Sequence, residues 1–414
     1  METIKRKNKV NTFIAVIIML AFFICSSESL IVGTNSSQVA WSIYKSVHYI
    51  IFIALVIRLI IVKGPIFNIS ISLILVIISI FGNLIFSSGP NVLSTYLHII
   101  VVIVNAWLIT EQFSGNLFFD IFEKSIFVMA VYSLIIYVIA LVFPSIIKMF
   151  PIIKNIAGKE YYCTGLAIIS QSGLNSGTLF RSFGVFREPG VYQIFLNIAF
   201  CIYLFKFKKN NILKIIVYVL SILSTVSTTG IFAMIVIFIV FTIISNVKNK
   251  QIIVTILIAF LILLQYLVNN YDIFHNAITK INNDDDMSTI ARLYSIFANL
   301  KIWITYPIFG SGMKINSTMF PAIVYQETGQ LVADNTNSYM YLLSCFGIIP
   351  FIVFIKGLYC ASKCMLNNGA IFLLIILLIV LAGENLIYSS FAWIFVFYGL
   401  STTKKHLKIS RIRS

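Results

Sequence analysis

Phe180-Arg181-Ser182-Phe183-Gly184-Val185-Phe186-Arg187-Glu188-Pro189-Gly190-Val191-Tyr192 is where a long polar and aromatic connection turns into a strongly apolar segment. Proline suits the first turn of a helix, where its missing N–H is one the helix does not use, and glycine is tolerated beside it. Glu188, just ahead, stands where a helix N-terminus favours an anion. Arg181, Arg187 and Glu188 lie within eight positions of a chain that is otherwise short of charge. Arginine and glutamate here can simply anchor a helix end at the water interface, or they can form part of a site. The rest of the chain decides between the two.

The apolar segment that follows is one of many. Of 414 residues, 59% are hydrophobic and 11% are charged, where a soluble globular chain carries roughly a quarter charged residues. Many windows exceed the ~18 apolar residues that read as a bilayer span. The expected fold is all-α, a single integral membrane domain over 1–414 with about twelve transmembrane helices. These are placed at 13–32, 39–62, 66–86, 92–110, 121–143, 190–206, 212–227, 229–246, 251–268, 338–360, 370–383 and 385–401. The pair 212–246 is nearly continuous and is split at Ser227-Thr228-Thr229-Gly230.

The formal charge of +16 belongs to topology, because Lys and Arg concentrate on the cytoplasmic side of membrane proteins. No nucleic-acid partner is expected. Placing the N-terminus in the cytoplasm puts Lys63, the Lys206/Lys208/Lys209 cluster, Lys248, Lys250, Lys356, Lys363 and the tail Lys404–Arg413 on that side. The short outer turns Gly33–Gln38 and Ser87–Asn91 carry no Lys or Arg. Both termini are therefore expected in the cytoplasm. The basic start (Lys5, Arg6, Lys7, Lys9) before an apolar run reads as a retained signal anchor. The six cysteines have neither zinc spacing nor a Cys-x-x-Cys, so no disulfide framework is expected.

Two long connections, 144–189 and 269–337, then fall together on the outer face. Connections of this length are functional or disordered, and neither is low in complexity. Ile146–Lys154 suits a short helix in the headgroup region. Met287–Pro307 is amphipathic, and Phe309-Gly310-Ser311-Gly312 reads as a turn. The outer segments gather Arg181, Arg187, Glu188, Arg292, Lys301, Lys314, Asp334, Asn335 and Asn337. Guanidinium forks bind oxyanions bidentately and keep their charge, so converging arginines are a device for gripping phosphate. Separate surface arginines that never meet are the plainer alternative.

Ser224–Gly230 is a hydroxyl-rich helix end, suited to capping and close packing or to hydrogen bonding a sugar or phosphate. Asp284-Asp285-Asp286 lacks the alternate spacing of a calcium loop and reads as solvated. The four histidines are scattered, so no metal site or Ser-His-Asp arrangement can be assembled. Phe309–Lys314 is too short for a P-loop.

Three blocks resemble the bacterial O-antigen and capsular polysaccharide polymerases (the Wzy family) and, more distantly, the O-antigen ligases. They are Arg181–Gly190, Ser224–Gly230, and the series Arg292-Leu293-Tyr294, Tyr306–Gly312 and Asn335–Gly347. The resemblance covers about 180–350. It implies a glycosyltransferase of the bacterial inner membrane that uses no metal or other cofactor. It joins undecaprenyl-pyrophosphate-linked repeat units at the periplasmic face, with lipid pyrophosphate as leaving group and a separate chain-length regulator as partner. It carries Arg187 and Arg292 over as pyrophosphate clamps, with Arg181 or Lys314 as a third contact. Glu188 becomes the general base or the group that orients an arginine, with Asp334 in reserve. Tyr192, Thr228, Thr229 and Asn335 are counted as substrate contacts. Ligase-like members place a histidine where Asn337 stands, which argues against ligation. A flippase or solute transporter is the alternative from another class. The spans are nearly free of ionisable residues near their centres and show no repeat between halves, against the pattern of transporters.

Overall fold

The structure, a computed structural model, describes residues 12–18, 20–21, 29–31, 38–63, 69–86, 93–155, 157–175, 179–207, 211–244, 250–279, 287–332, 335–366 and 369–412. The main helices are α1 (Gln38–Lys63), α2 (Ile71–Phe86), α3 (Leu93–Gln112), α4 (Gly115–Val142), α5 (Pro144–Ile147), α6 (Gln171–Asn175) and α7 (Pro189–Cys201). They continue with α8 (Ile212–Ser224), α9 (Thr228–Ile244), α10 (Lys250–Asn270), α11 (Asp272–Thr279), α12 (Met287–Thr305) and α13 (Gly312–Thr328). The last are α14 (Ser338–Phe346), α15 (Ile348–Met365), α16 (Ala370–Ala382) and α17 (Ser390–Ile412).

Among the described residues five helical segments are long and apolar enough to cross a membrane: Ser42–Val62, Leu93–Gln112, Gly115–Val142, Pro189–Lys206 and Ile348–Met365. Shorter apolar helices accompany them. The protein is an all-α polytopic membrane protein, and each expected span from 39–62 onward corresponds to a helix or a pair of helices. The chain divides into two compact units.

The first unit contains 1–44, 116–282 and 375–380. Its longest helix, α4, has no interior proline or glycine and stops ahead of Pro144, because the residue before a proline is pushed out of the helical region. Two expectations are corrected here. Ile146–Lys154 is not one helix: after four residues of α5 the chain reaches Pro151 and becomes the strand β1 (Ile152–Lys154). β1 pairs antiparallel with β2 (Glu160–Cys163), which pairs with β3 (Ile168–Ser170). The β-branched Ile152-Ile153 pair, the left-handed Gly158 in the turn and the Lys154–Glu160 ion pair of 2.7 Å favour a hairpin.

The second correction concerns 13–32. Residues 12–18 and 20–21 are helical, but Ser29 forms an antiparallel bridge with Phe186, and Leu30 N–H donates to Val185 O at 3.0 Å. The backbone there is drawn into the 180–188 loop instead of continuing a helix. The little sheet is covered on both faces. Tyr162 and Ile169 pack with Tyr137, Leu174 and Phe180, while Tyr161 and Ile168 pack with Leu30 and Phe183.

α4 begins at Gly115, earlier than the expected 121, and carries Glu123 inside it. Buried Glu123 accepts from Tyr218 Oη at 2.8 Å and pairs with Lys214 Nζ at 2.6 Å. Lys214 lies over the Phe127 ring as well, 4.2 Å from its centroid. This charge is paired within the unit, as buried charges must be.

The second unit contains 45–115, 283–374 and 381–414. The expected span 338–360 is broken at Gly347, whose φ of 86° ends α14 and opens α15. The carbonyls freed by the break find side chains on α2. Ser79 Oγ donates to Phe346 O at 3.0 Å, and Asn83 Nδ2 donates to Cys345 O at 2.9 Å. Asn83 Nδ2 also donates to Phe309 O at 2.6 Å, and its Oδ1 accepts from Tyr96 Oη. Irregular backbone at bilayer depth persists only where protein satisfies it in this way. Asn83→Ala leaves these carbonyls short of a donor, so a loss of about 1–3 kcal/mol is expected. A lowered Tm of the detergent-solubilised protein checks it.

Candidate functional site

In the first unit the 180–188 loop lies across a break between α8 and α9. The break has no glycine or proline at its centre. Ser224 Oγ donates to Ser221 O and Thr225 Oγ1 to Ile222 O, and such back-bonding competes with the helix. Val226 follows with φ of 46°, an outlier for a β-branched residue of the kind that collects at functional sites. The exposed carbonyls are taken by the loop: Ser182 N–H donates to Ser224 O at 2.8 Å, and Arg181 Nε to Thr225 O at 3.0 Å. Ser182 Oγ lies 3.1 Å from Ser133 Oγ, and Tyr137 Oη donates to Phe180 O at 2.8 Å.

The hydrophobic half of the loop is clamped too. Phe186 stacks on Phe195 with ring centroids 4.4 Å apart and on Tyr192 at 5.8 Å. Gly184 has φ of 56°, and a Cβ there would meet the Tyr192 ring at 3.0 Å. Tyr192 is fully buried, so its ring is the seat of this loop. Arg181 likewise holds backbone, while Thr228 and Thr229 stand half-buried at the start of α9. Arg181→Ala is expected to lower stability by about 1–2 kcal/mol through the lost Thr225 contact, measured as a drop in Tm.

What the loop presents is Arg187 with Glu188. Their side chains pair at 2.8 Å, with Arg187 17% exposed and Glu188 50% exposed. Pro189 occupies the first position of α7, and Glu188 precedes it with extended backbone and no side-chain capping bond. Burial raises the Tyr161 phenol above its ordinary value, and the Glu188 charge adds to the rise. The carboxylate therefore pairs with the Arg187 guanidinium and lies within electrostatic reach of Tyr161 on β2.

In the second unit α12 carries Arg292, Ser295 and Asn299 at spacings of three and four, which puts them on one face. Asn299 Nδ2 donates to Asn335 Oδ1 at 2.9 Å, and Asn335 Nδ2 donates back to Asn299 Oδ1 at 2.9 Å. Asn335 also reaches Asn316 Oδ1 at 3.4 Å, and Asn316 Nδ2 donates to Ser344 Oγ at 2.8 Å. The segment 335–337 is thus fixed to α12, α13 and α14 by amides. Asn337 is buried and caps α14, its Oδ1 accepting from Met340 N–H at 3.1 Å. Two buried polar atoms here have no hydrogen-bond partner: Arg292 Nε and Thr336 Oγ1. Lys314 is exposed in the first turn of α13.

Asp334 and Asp284–Asp286 lie outside the described residues. Among the described residues no group of three or more His, Cys, Asp or Glu could hold a metal ion. Sequence reasoning missed Asn299, Asn316 and Thr336. The signal for Asn299 was its place two turns after Arg292 on the same helix face, whereas Asn316 takes its meaning only from contacts distant in sequence, and Thr336 only from its burial. No curated protein matches the chain. Residues 213–355, which include Arg292, Lys314, Asn335 and Asn337 but not Arg187 or Glu188, match the family model described as O-Antigen ligase.

Proposed function

We propose that the protein is a membrane glycosyltransferase that polymerises lipid-linked oligosaccharide repeat units, releasing a polyprenyl pyrophosphate. The observation that carries this reading is the buried Nε–H of Arg292, left without a partner on a face lined by amides. A guanidinium held there with a donor to spare suits a phosphoryl oxygen, and its charge is worth most where negative charge develops as the glycosidic bond breaks. Within the first unit, Arg187 is proposed as a phosphate contact of its own, with Glu188 orienting it. The match over 213–355 supports the same class of chemistry on lipid-linked glycan.

Ligation is the second reading, favoured by the description of the matching family. Asn337 argues for polymerisation, because its Oδ1 is occupied as a helix cap where a ligase-like member has a titratable histidine. The test supplies purified protein with lipid-linked repeat units alone, and separately with a preformed chain plus lipid A. Long polymer in the first reaction supports polymerisation; attachment to lipid A without polymer overturns it in favour of ligation.

The orientation is part of the proposal: an inner-membrane protein with cytoplasmic termini and with 144–189 and 269–337 on the outer face. The basic short connections support it. Cysteines placed at positions 159 and 327 are expected to react with a membrane-impermeant maleimide added outside spheroplasts. Protection at both positions reverses the orientation. Glu188→Gln is expected to slow transfer by up to about fivefold, less than Arg187→Ala, because it removes the ion pair that orients Arg187 but keeps the guanidinium. Transfer rates at saturating donor measure this.

A further inference from the structure

Where α4 ends, its exposed apolar face does not end with it. Val128, Ile135, Val138 and Val142 are exposed on this span at helical spacings of seven, three and four, so they share the face that meets lipid. Phe143, Ile146 and Ile152 continue the run at 57%, 45% and 47% exposed, and Met149 stands 85% exposed among them. Large apolar side chains gathered this way on a folded surface mark a contact with a membrane or a protein. The neighbouring Ile147 is fully buried with Tyr137 and Tyr162, so the exposed four are the part of this segment that the first unit leaves uncovered.

Charge selects the partner. From Phe143 to Glu160 the sequence carries Lys148, Lys154 and Lys159 against a single acid, Glu160. Glu160 is taken by Lys154 at 2.7 Å. Lys148 and Lys159 are both exposed and give the segment a net positive charge beside an apolar surface. That composition suits anionic headgroups, with the apolar side chains in the acyl boundary. The backbone sets the depth. β1 is an edge strand of the three-stranded sheet, and the polar groups along its open edge are barred from the hydrocarbon interior but not from the hydrated headgroup zone.

We propose that the surface from Phe143 to Lys159 is seated on the bilayer leaflet at which α4 ends. Phe143, Ile146, Met149 and Ile152 lie among the upper acyl chains, and Lys148 and Lys159 meet anionic lipid phosphates. Continuity with the lipid-facing stripe of α4 favours lipid over a protein partner, which would have to displace lipid from the same face. The seat also bears on the loop that presents Arg187 and Glu188. Tyr161 on β2 lies with its ring 5.5 Å from that of Phe183, and Val185 O accepts from Leu30 N–H in the same cluster. The loop is therefore braced by the sheet that rests on lipid, and the seat fixes how far it stands from the lipid phosphates. That consequence serves the transfer reading above; the seat itself does not depend on it.

The experiment places the photocrosslinker p-benzoylphenylalanine at Met149, and separately at Ile146, in full-length protein reconstituted in phosphatidylcholine vesicles with a minority of phosphatidylglycerol. Both positions are exposed, so a Tm equal to the parent's is expected. After illumination, mass spectrometry is expected to find phospholipid joined to the peptide containing either position, with phosphatidylglycerol enriched about twofold or more over its share of the bilayer. The enrichment is expected to vanish in Lys148→Gln/Lys159→Gln while the phospholipid adducts remain. Peptides that carry no phospholipid at either position overturn the seat. Adducts to a second copy of the chain overturn it as well and assign the surface to a protein contact. Phosphatidylglycerol at its bilayer share in the parent, or undiminished enrichment in the double variant, overturns the assignment of the two lysines. None of these readouts measures glycan transfer, so failure of the seat and failure of the transfer reading are told apart.

Discussion

Arg292→Ala is expected to cut glycan transfer about 10²–10³-fold, the cost of removing one preorganised donor from developing negative charge. The fold should survive. Arg292 is half-buried on α12, and the bonds that fix this face, Asn299 to Asn335 and Asn316 to Ser344, do not involve its side chain. Arg292→Lys is the informative companion. Lysine keeps the charge but loses the planar fork and the Nε–H, so it should recover less than about a tenth of the lost rate. The measurement is the initial rate of polymer formation on lipid-linked repeat units, with Tm recorded for each variant. Parent-like rates in Arg292→Ala would remove the observation on which the functional reading stands.

Gly347→Ala is expected to prevent stable folding, with a cost above about 4 kcal/mol. With φ of 86° and ψ of −175°, Gly347 occupies a region that side chains almost never enter. A Cβ there would lie 2.0 Å from Ile308 O and 2.8 Å from Gly310 N. Those atoms are backbone and have nowhere to move. Gly310 makes the reciprocal approach, its own Cβ position falling 2.4 Å from Cys345 O, so the double variant should cost less than the sum of the two. Gly329→Ala supplies the control: φ is 70°, but nothing lies within 4 Å of the added carbon. Its cost should be the conformational term alone, about 1–2 kcal/mol. Fluorescence-detected size exclusion after graded heating separates the outcomes, and a Gly347→Ala protein as stable as Gly329→Ala would contradict the packing described here.

The helices were legible because lipid demands long apolar runs, and the chain supplies them with few exceptions. The start of α7 was legible in greater detail: Pro189 sits where a missing N–H is harmless, and Glu188 precedes it. The β-hairpin at 152–163 was not, because Ile146–Lys154 has the apolar and basic composition of an interfacial helix. Its fate is decided by Pro151 and by partners ten residues away. The bridge from Ser29 to Phe186 was out of reach for a stronger reason, since a local reading cannot assign a backbone N–H to an acceptor more than a hundred residues distant. Within the candidate sites, the charged residues stood out against an uncharged background. What they do depends on neighbours the sequence does not announce. Arg181 and Tyr192 both help to hold the loop, while Asn299 and Asn316 carry polar contacts that no motif marked.

α7 with its continuation to Lys206 is the least apolar of the five candidate spans and the most enclosed, with 94% of its window buried in protein. Gln193 and Asn197 lie within it, and Asn197 Nδ2 donates to Gln193 Oε1 at 2.9 Å and to Gly230 O at 3.3 Å. A segment with this composition has a weak affinity for hydrocarbon when it emerges from the ribosome alone. Its membrane integration must therefore draw on neighbours synthesised later, α9 among them. Biogenesis then waits on the middle of the polypeptide, and nascent chains truncated near position 206 should leave this stretch poorly inserted.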